Sequence, residues 1–264
     1  MKKTVRILFV LIAVLFVGWF CVRRYLNSRH VVAKVVAHLQ QAYGGNVKLD
    51  EVDIGLTSSE LNRLEFSETD CAGADSKTPW LTIESFAADV SIFDLLKQQA
   101  VPTQVKVKGA KLFLRFSKDG KLLTCLPEQL SLNRLESGAP IPKIGAFPLI
   151  ELEDAQVQLH TEGSPDLVLK KVSAKLENKK GQLILSGSME NPEWGKWTMH
   201  GQFEQDSHEL PVVFGETGSV PITPAMMQQL PFVPLSAWQQ RGGSTPFLLR
   251  VTYDLNQGKF FFTR

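Results

Sequence analysis

The chain has 264 residues, 44% of them hydrophobic, which is enough for one large or two modest domains and excludes an intrinsically disordered protein. Its net charge of +2 conceals an asymmetry, because seven basic residues lie between Lys2 and Lys34 and no acidic residue precedes Asp50. The rest of the chain has the other 22 of the 29 basic residues and all 27 acidic ones, which gives it a net charge of −5. A mildly acidic body argues against a nucleic-acid-binding protein, whose partner is a polyanion.

The first predicted element is an apolar segment from Ile7 to Val22, sixteen residues without a charge. A helix of that length spans about 24 Å, so flanking residues must help it to cross a bilayer core ~30 Å thick. The stretch around Trp19 offers no small residues at the spacing that signal peptidase needs, which favours an uncleaved signal anchor within residues 1–30. Basic residues on its two sides nearly balance, so charge alone does not orient it. The predicted anchor residues are Ile7, Leu11, Leu15, Trp19 and Val22.

Residues 31–125 are predicted to form a first β unit with a juxtamembrane helix. Valines at helical spacing predict that this helix covers Tyr25 to Tyr43 and ends at Gly44-Gly45. Ser91 is a suitable cap for a short second helix. The predicted strands and turn of this unit are Val47–Phe66 with a turn near Thr57, Trp80–Val90, Val105–Phe116, and a hairpin turn at Ser117–Gly120.

Residues 126–147 contain prolines and little periodicity, which predicts a linker or insertion. Residues 148–264 are predicted to form a second β unit that includes a short helix opened by Thr223-Pro224. Its last hairpin leaves an uncovered strand edge, where we expect either more chain or an envelope protein partner. The predicted strands are Pro148–Thr161, Leu167–Leu176, Gln182–Ser188, Trp197–Glu204, Phe247–Tyr253 and Lys259–Phe262.

One alternation pattern occurs twice in the chain. The segment from Val105 to Phe116 aligns with that from Ile150 to Thr161 at an offset of 45, and in both the apolar positions change parity at an alanine, Ala110 or Ala155. A one-residue slip would move the apolar side chains to the other face of a sheet. A β-bulge absorbs such a slip and increases twist, so the pattern predicts a curved sheet with bulges at these alanines.

A second pair of segments shows the same parity change at an offset of 86. It matches the apolar positions of 81–90 with those of 167–176. Because the two offsets differ, a strict solenoid is excluded, and two related units with an insertion between them fit better. The alternative is that any two strands of a sandwich look alike. We therefore predict a mainly β (α+β) fold: an N-terminal transmembrane helix, then a curved antiparallel sheet of repeated units with a few short helices.

The strand pattern from Trp80 to Leu123, behind a short N-terminal anchor, resembles the AsmA-like family of bacterial envelope proteins. The residues that carry the resemblance are Val90-Ser91-Ile92-Phe93-Asp94-Leu95-Leu96, then Val105 to Leu114, then Lys118-Asp119-Gly120. The resemblance implies a single-pass inner-membrane protein with its body in the periplasm. It also implies a β-groove with an apolar interior and a role in lipid handling or envelope biogenesis, without catalytic residues.

A groove for an acyl chain of a phospholipid or similar ligand needs a continuous apolar lining. For any one residue, packing in an ordinary closed core is an equally good interpretation. The candidate lining residues are Val107, Leu112, Leu114, Phe116, Leu152, Val157 and Leu159.

No pattern in the sequence indicates an enzyme, a metal site or a cofactor. The carboxylates Glu151, Glu153 and Asp154 read as a solvated strand face, and the five histidines show no ligand spacing. No nucleophile elbow, phosphate loop or dinucleotide motif occurs. Cys71 and Cys125 could pair in an oxidising compartment, but sequence does not place them within bridging distance.

Two alternatives to lipid handling remain at this point. One is a non-enzymatic scaffold for envelope assembly. The other is a wall-glycan-binding protein that uses tryptophans as a platform for sugar rings. These tryptophans are Trp80, Trp194, Trp197 and Trp238. Tryptophans in turns more often fasten a loop to a core.

Overall fold

The computed structural model describes residues 28–68, 79–96, 101–118, 121–125, 147–203, 209–216, 223–230, 248–254 and 259–263. This part of the chain is mainly β and forms one large sheet with three short helices. The strands are β1 (Val47–Ile54), β2 (Ser59–Ser67), β3 (Pro79–Ala88), β4 (Gln104–Lys108), β5 (Lys111–Phe116), β6 (Leu149–Thr161), β7 (Leu167–Lys179), β8 (Gln182–Asn191), β9 (Gly195–Phe203), β10 (Glu209–Glu216), β11 (Leu248–Asp254) and β12 (Lys259–Thr263).

The helices are α1 (Arg29–Tyr43), α2 (Ile92–Leu96) and α3 (Pro224–Gln229). The three predicted caps are confirmed. Gly44 ends α1 in the left-handed conformation, with its N–H donating to the carbonyl of Gln40. The hydroxyl of Ser91 accepts from the N–H of Asp94 at 3.2 Å, and that of Thr223 accepts from the N–H of Met226 at 3.3 Å.

The sheet is mixed rather than antiparallel, which corrects the predicted topology. Its strand order is β1-β2-β3-β4-β6-β7-β8-β9-β10-β11-β12, and β5 continues the line of β4 by pairing with β3 and β6. Both β4 and β5 run parallel to β6, whereas the other pairs are antiparallel. A parallel pair needs a long crossover, and here the chain passes through residues 117–148 between β5 and β6.

The parallel pairing explains the sequence similarity at an offset of 45. Val105 pairs with Ile150 and Phe116 pairs with Thr161, with the same offset between them. The similar segments are therefore neighbours in the sheet. Their flanking strands β3 and β7, which carry the offset of 86, lie on opposite sides of this central pair. In the chain, β3 precedes β4 and β5, whereas β7 follows β6. The two pairs of similar segments are therefore not two tandem copies of one unit.

The predicted bulges are present and lie side by side. Gly109, between β4 and β5, and Asp154, in β6, both have positive φ, at 62° and 50°. The register of β6 on β7 shifts on both sides of Ala155, and Lys171 in β7 adds a further positive φ of 49°. We call the row Gly109, Asp154 and Lys171 the crease. It lets the apolar side chains stay on one face although their parity in the sequence changes.

A side chain at Gly109, in the crease, would have little room. A β-carbon there would lie 2.8 Å from the β-carbon of Glu84. We expect Gly109→Ala to lower the free energy of unfolding by about 2–4 kcal/mol, from the left-handed backbone and the overpacking together. Gly181→Ala is the matched control, because Gly181 also has positive φ but its added carbon would meet nothing within 4 Å. Equal losses in a denaturant titration would contradict this account.

The sheet has one charged face. Ion pairs cross between neighbouring strands there, for example Lys106 Nζ to Glu153 Oε1 at 2.7 Å and Arg63 Nε to Asp50 Oδ2 at 2.7 Å. The carboxylate of Glu151 accepts a hydrogen bond from the side chain of Gln104 at 3.2 Å. The prediction of a solvated strand face around Glu151 and Glu153 is confirmed.

The other face is apolar, and α1 and α3 pack on different parts of it. α1 packs mainly on β1, and its last residue, Tyr43, contacts Phe66 and Trp80. Burial raises the pKa of the Tyr43 phenol, although the hydrogen bond from Trp80 acts in the opposite direction. α3 places Met226 in a second cluster with Trp194, Trp197, Leu249 and Leu167.

Several predictions fall outside the described residues or miss an element. All five anchor residues, Cys71, Trp238 and most of the 126–147 linker lie outside. Among the described helices, none is both long and apolar enough to cross a bilayer. Cys125 is disulfide-bonded. The strand β10 was not predicted, because Pro211 and Gly215 interrupt its apolar run.

Candidate functional site

The apolar face is built from rows of side chains that run across the strands. Paired residues in neighbouring strands point to the same side of a sheet, so one row can be followed by its register. The row at Val107 is apolar or glycine from β2 to β11, and it comprises Leu61, Phe86, Val107, Leu152, Ala174, Gly187, Met199, Phe214 and Leu249.

A second row, two residues away on the same face, is equally apolar. It comprises Ala88, Val105, Ile150, Leu176, Leu185, Gly201, Val212 and Val251. On the far side of the crease, a third row crosses β3, β5, β6 and β7. Its members, each paired with the next, are Leu81, Leu112, Val157 and Leu169. No charged side chain interrupts these rows. Together with Leu114 and Leu159, which pair two residues further along, and Met189, they form what we call the apolar face.

The structure places six of the seven predicted lining residues on this face, and it leaves them half-buried. Val107, Leu112, Leu114, Leu152 and Val157 pack against the cluster under α1, and Leu159 packs against the cluster under α3. Phe116 differs, since it is only 6% exposed at the end of β5, where it pairs with Leu122. Little of its side chain is accessible to a ligand.

Burial on the apolar face varies along the strand order. Under α1, residues such as Val47, Val52 and Leu64 are almost fully buried, at 2–3% exposed. Under α3, Trp197 is similarly buried. Between the two helices, the row at Val107 is half-buried from β4 to β10. With strands ~4.8 Å apart, the part of this row from β4 to β9 is about 19 Å wide. It can offer dispersion contacts and dehydration to an apolar chain, and it has no group that could do acid–base chemistry.

Sequence reasoning missed the part of the face that lies on β8 to β10. Met189, Met199 and Phe214 are half-buried members of it. The available signal was the alternation Leu183, Leu185, Gly187, Met189, which places one side of β8 on this face. Methionine is flexible and fills irregular contacts, so these two side chains suit a surface whose occupant varies in shape.

The three described tryptophans, Trp80, Trp194 and Trp197, do not form an accessible platform. Trp194 and Trp197 are 5% and 3% exposed and their ring centroids lie 6.0 Å apart. The indole N–H of Trp194 donates to Gln229 at 2.6 Å, and that of Trp197 donates to the carbonyl of Trp194 at 2.7 Å. They fasten the β8–β9 turn to the core, and their ring faces are not available to a sugar.

The described histidines and the carboxylates of β6 do not form a group that could hold a metal ion. His160 Nδ1 and Asp166 Oδ1 lie 2.7 Å apart at an exposed position. The bond with His160 and one from Gln158 hold the pKa of the Asp166 carboxyl below its ordinary value. Within the described ranges, no group of three or more His, Cys, Asp or Glu side chains could hold a metal ion.

Comparison with known proteins adds no assignment. No family model matches this sequence, and neither a curated protein nor a solved structure matches it. The fold and the site therefore define the class: a mainly β protein with one amphipathic sheet, charged on one face and apolar on the other.

Proposed function

We propose that this chain is a membrane-anchored, AsmA-like protein of the bacterial periplasm that handles lipids by binding acyl chains on its apolar face. The observation that carries the proposal is the half-buried stretch of this face between α1 and α3. A soluble domain ordinarily buries such a surface against a second layer. Here α1 packs mainly on β1 and α3 packs on the cluster of Trp194 and Trp197, while the row at Val107 stays half-buried from β4 to β10.

The energetic argument concerns the cost of moving a lipid through water. Each methylene transferred from water to an apolar site contributes about 0.8 kcal/mol, so an acyl chain of ordinary length costs on the order of 10 kcal/mol to expose. A carrier must compensate with apolar contact along the whole chain. The two long rows of the apolar face, which cross eight and nine strands without a charged side chain, meet that requirement.

Two further observations support the proposed location. The apolar segment Ile7–Val22 precedes α1 by six residues and suits a signal anchor. The disulfide at Cys125 belongs to an oxidising compartment such as the periplasm. The bulges of the crease increase local twist, and this favours the curved form that a groove needs.

Native mass spectrometry of the full chain, extracted in mild detergent, tests the proposal. We expect adducts with the masses of membrane phospholipids, retained at collision energies that strip detergent. A spectrum that shows only the chain without bound lipid under the same conditions would contradict the proposal, provided that circular dichroism shows an intact sheet. The same extraction from membranes of altered lipid composition would identify the class of lipid that binds.

The edge of the sheet favours a second candidate function, that of an assembly scaffold. β12 pairs only with β11 among the described strands, and its sequence Lys259-Phe260-Phe261-Phe262-Thr263 is rich in aromatic residues. Such an edge can add a strand from an envelope protein partner. If the chain is a scaffold, removal of residues 246–264 should abolish recovery of that partner and leave lipid adducts unchanged.

A further inference from the structure

Three of the four most exposed large apolar side chains in the described residues lie at one end of the sheet. Leu56 is 49% exposed in the β1–β2 turn, Phe93 is 57% exposed in α2, and Val101 is 73% exposed before β4. The fourth, Leu122, is 37% exposed and lies at the opposite end, beside Phe116. Single exposed apolar residues are ordinary, so the grouping is what requires an explanation.

Hydrogen bonds hold the three segments together as one surface. The N–H of Ile92 donates to the carbonyl of Gly55 at 3.1 Å, which ties α2 to the β1–β2 turn. The hydroxyl of Ser59 donates to the carbonyl of Val90 at 2.7 Å. On the other side, the N–H of Thr103 donates to Asp89 at 2.8 Å, which fixes the segment before β4.

These contacts join only neighbouring strands, β1 to β4. Strands in a sheet rotate by roughly 20–25° from one to the next, so the ends of distant strands turn away from one plane. The ends of four adjacent strands still point in similar directions. Leu56, Phe93 and Val101 can therefore meet a flat surface together, and we call them the apolar tip.

The path of α1 brings its first residue to the same end of the sheet. The last turn of α1 is at the opposite end, where Gln40 Nε2 donates to the carbonyl of Val47 at 3.3 Å and Tyr43 donates to that of Ser67 at 2.8 Å. Packed along β1, the 15-residue helix runs back about 22 Å, close to the ~26 Å length of the eight-residue strand. Its first residue, Arg29, thus lies toward the Leu56 end.

We propose that the apolar tip, Leu56, Phe93 and Val101, inserts into the interfacial region of the bilayer in which the chain is anchored. This rests on the proposed function, because it requires the anchor to span a membrane. Only five residues, 23–27, separate the end of the predicted anchor from Ser28. The end of the sheet beside Arg29, which carries the apolar tip, is therefore held close to the bilayer surface.

The insertion gives the apolar face direct access to lipid. The row that contains Ala88, Val105 and Ile150 ends beside the apolar tip, because Ala88 and Val105 pair next to Asp89. A tip embedded at the level of the acyl chains would bring this end of the face against the hydrocarbon. A lipid could then move onto the sheet without crossing water.

Site-specific photo-cross-linking of the full chain tests the inference. A benzophenone amino acid replaces Leu56, Phe93 or Val101 in separate variants, and Leu122 in the control variant. Each variant is reconstituted into phosphatidylcholine nanodiscs, whose zero net charge removes electrostatic attraction. After irradiation, we expect a yield of lipid adducts at least about fivefold higher at the three tip positions than at Leu122, because interfacial side chains lie ~5–10 Å into the headgroup and acyl boundary.

The outcomes separate the inference from the function on which it rests. Tip yields no higher than that at Leu122, in a chain that stays on the discs and carries phospholipid in native mass spectrometry, would overturn the inference and leave the proposed function intact. A chain that neither associates with the discs nor carries phospholipid would overturn both.

Discussion

Val157→Asp is expected to reduce the amount of co-purified phospholipid at least about tenfold. Val157 lies on the central strand β6 in the half-buried part of the apolar face, between Leu112 and Leu169 in the register. A hydrated carboxylate at this position prevents an acyl chain from contacting the residues around it. The loss of contact with two methylenes costs about 1.6 kcal/mol, which exceeds the 1.4 kcal/mol that corresponds to a tenfold change in affinity. Lipid per chain is measured by mass spectrometry after extraction.

Gln156→Asp is the matched control, because it adds the same charge one residue away on the opposite face of β6. We expect its lipid content to equal that of the native chain. Circular dichroism of both variants verifies that the sheet is intact. If both variants lost lipid to the same extent, or if neither did, the apolar face would not be the binding surface.

Trp80→Ala is expected to lower the free energy of unfolding by about 3–5 kcal/mol. The indole is 9% exposed, lies 6.4 Å from the ring of Tyr43 and 6.5 Å from that of Phe66, and donates to the Tyr43 hydroxyl at 2.5 Å. Its removal leaves a cavity at the point where α1 meets the sheet. Denaturant titration of the full chain in detergent, followed by circular dichroism, measures the loss.

Trp80→Phe separates the two contributions of this side chain. Phenylalanine keeps most of the ring packing and loses the N–H donor, so we expect a loss of about 1 kcal/mol, the net contribution of an ordinary hydrogen bond. The Tyr43 hydroxyl would still donate to the carbonyl of Ser67. A loss in the phenylalanine variant as large as that in the alanine variant would contradict the packing argument.

The crease shows how far sequence reasoning reaches in this fold. A parity change at Ala110 and at Ala155 requires an extra backbone residue in each strand, whatever the partner strand is, so local alternation sufficed to place both bulges. The caps at Gly44, Ser91 and Thr223 were predictable for the same reason, because each depends on one residue and its nearest neighbours.

The pairing of the strands was not predictable in that way. The similarity between 105–116 and 150–161 was interpreted as a repeat of antiparallel units, whereas the two segments lie side by side in parallel. Alternation is the same in parallel and antiparallel strands, so the sequence of either segment does not reveal its neighbour. Nor does the alternation in β5 reveal that its last residue, Phe116, is buried and pairs with Leu122.

The candidate site was predicted in its central part and missed at one side. The six half-buried lining residues lie on β4, β5 and β6, the strands with the strongest alternation. Met199 of β9 joins them only because the register aligns it with Gly187 and, through Gly187, with Ala174. Such a row is a property of the assembled sheet and has no counterpart in any single segment.

A phospholipid with a photoreactive group in its acyl chain provides the most direct test of the central claim, that an acyl chain binds on the apolar face. The lipid is incorporated into membranes that contain the full chain, irradiated, and located by peptide mass spectrometry. We expect adducts on half-buried residues of the middle strands, such as Leu114, Val157, Leu159 and Leu169. Adducts confined to the N-terminal segment before Ser28, with none on these strands, would contradict the account.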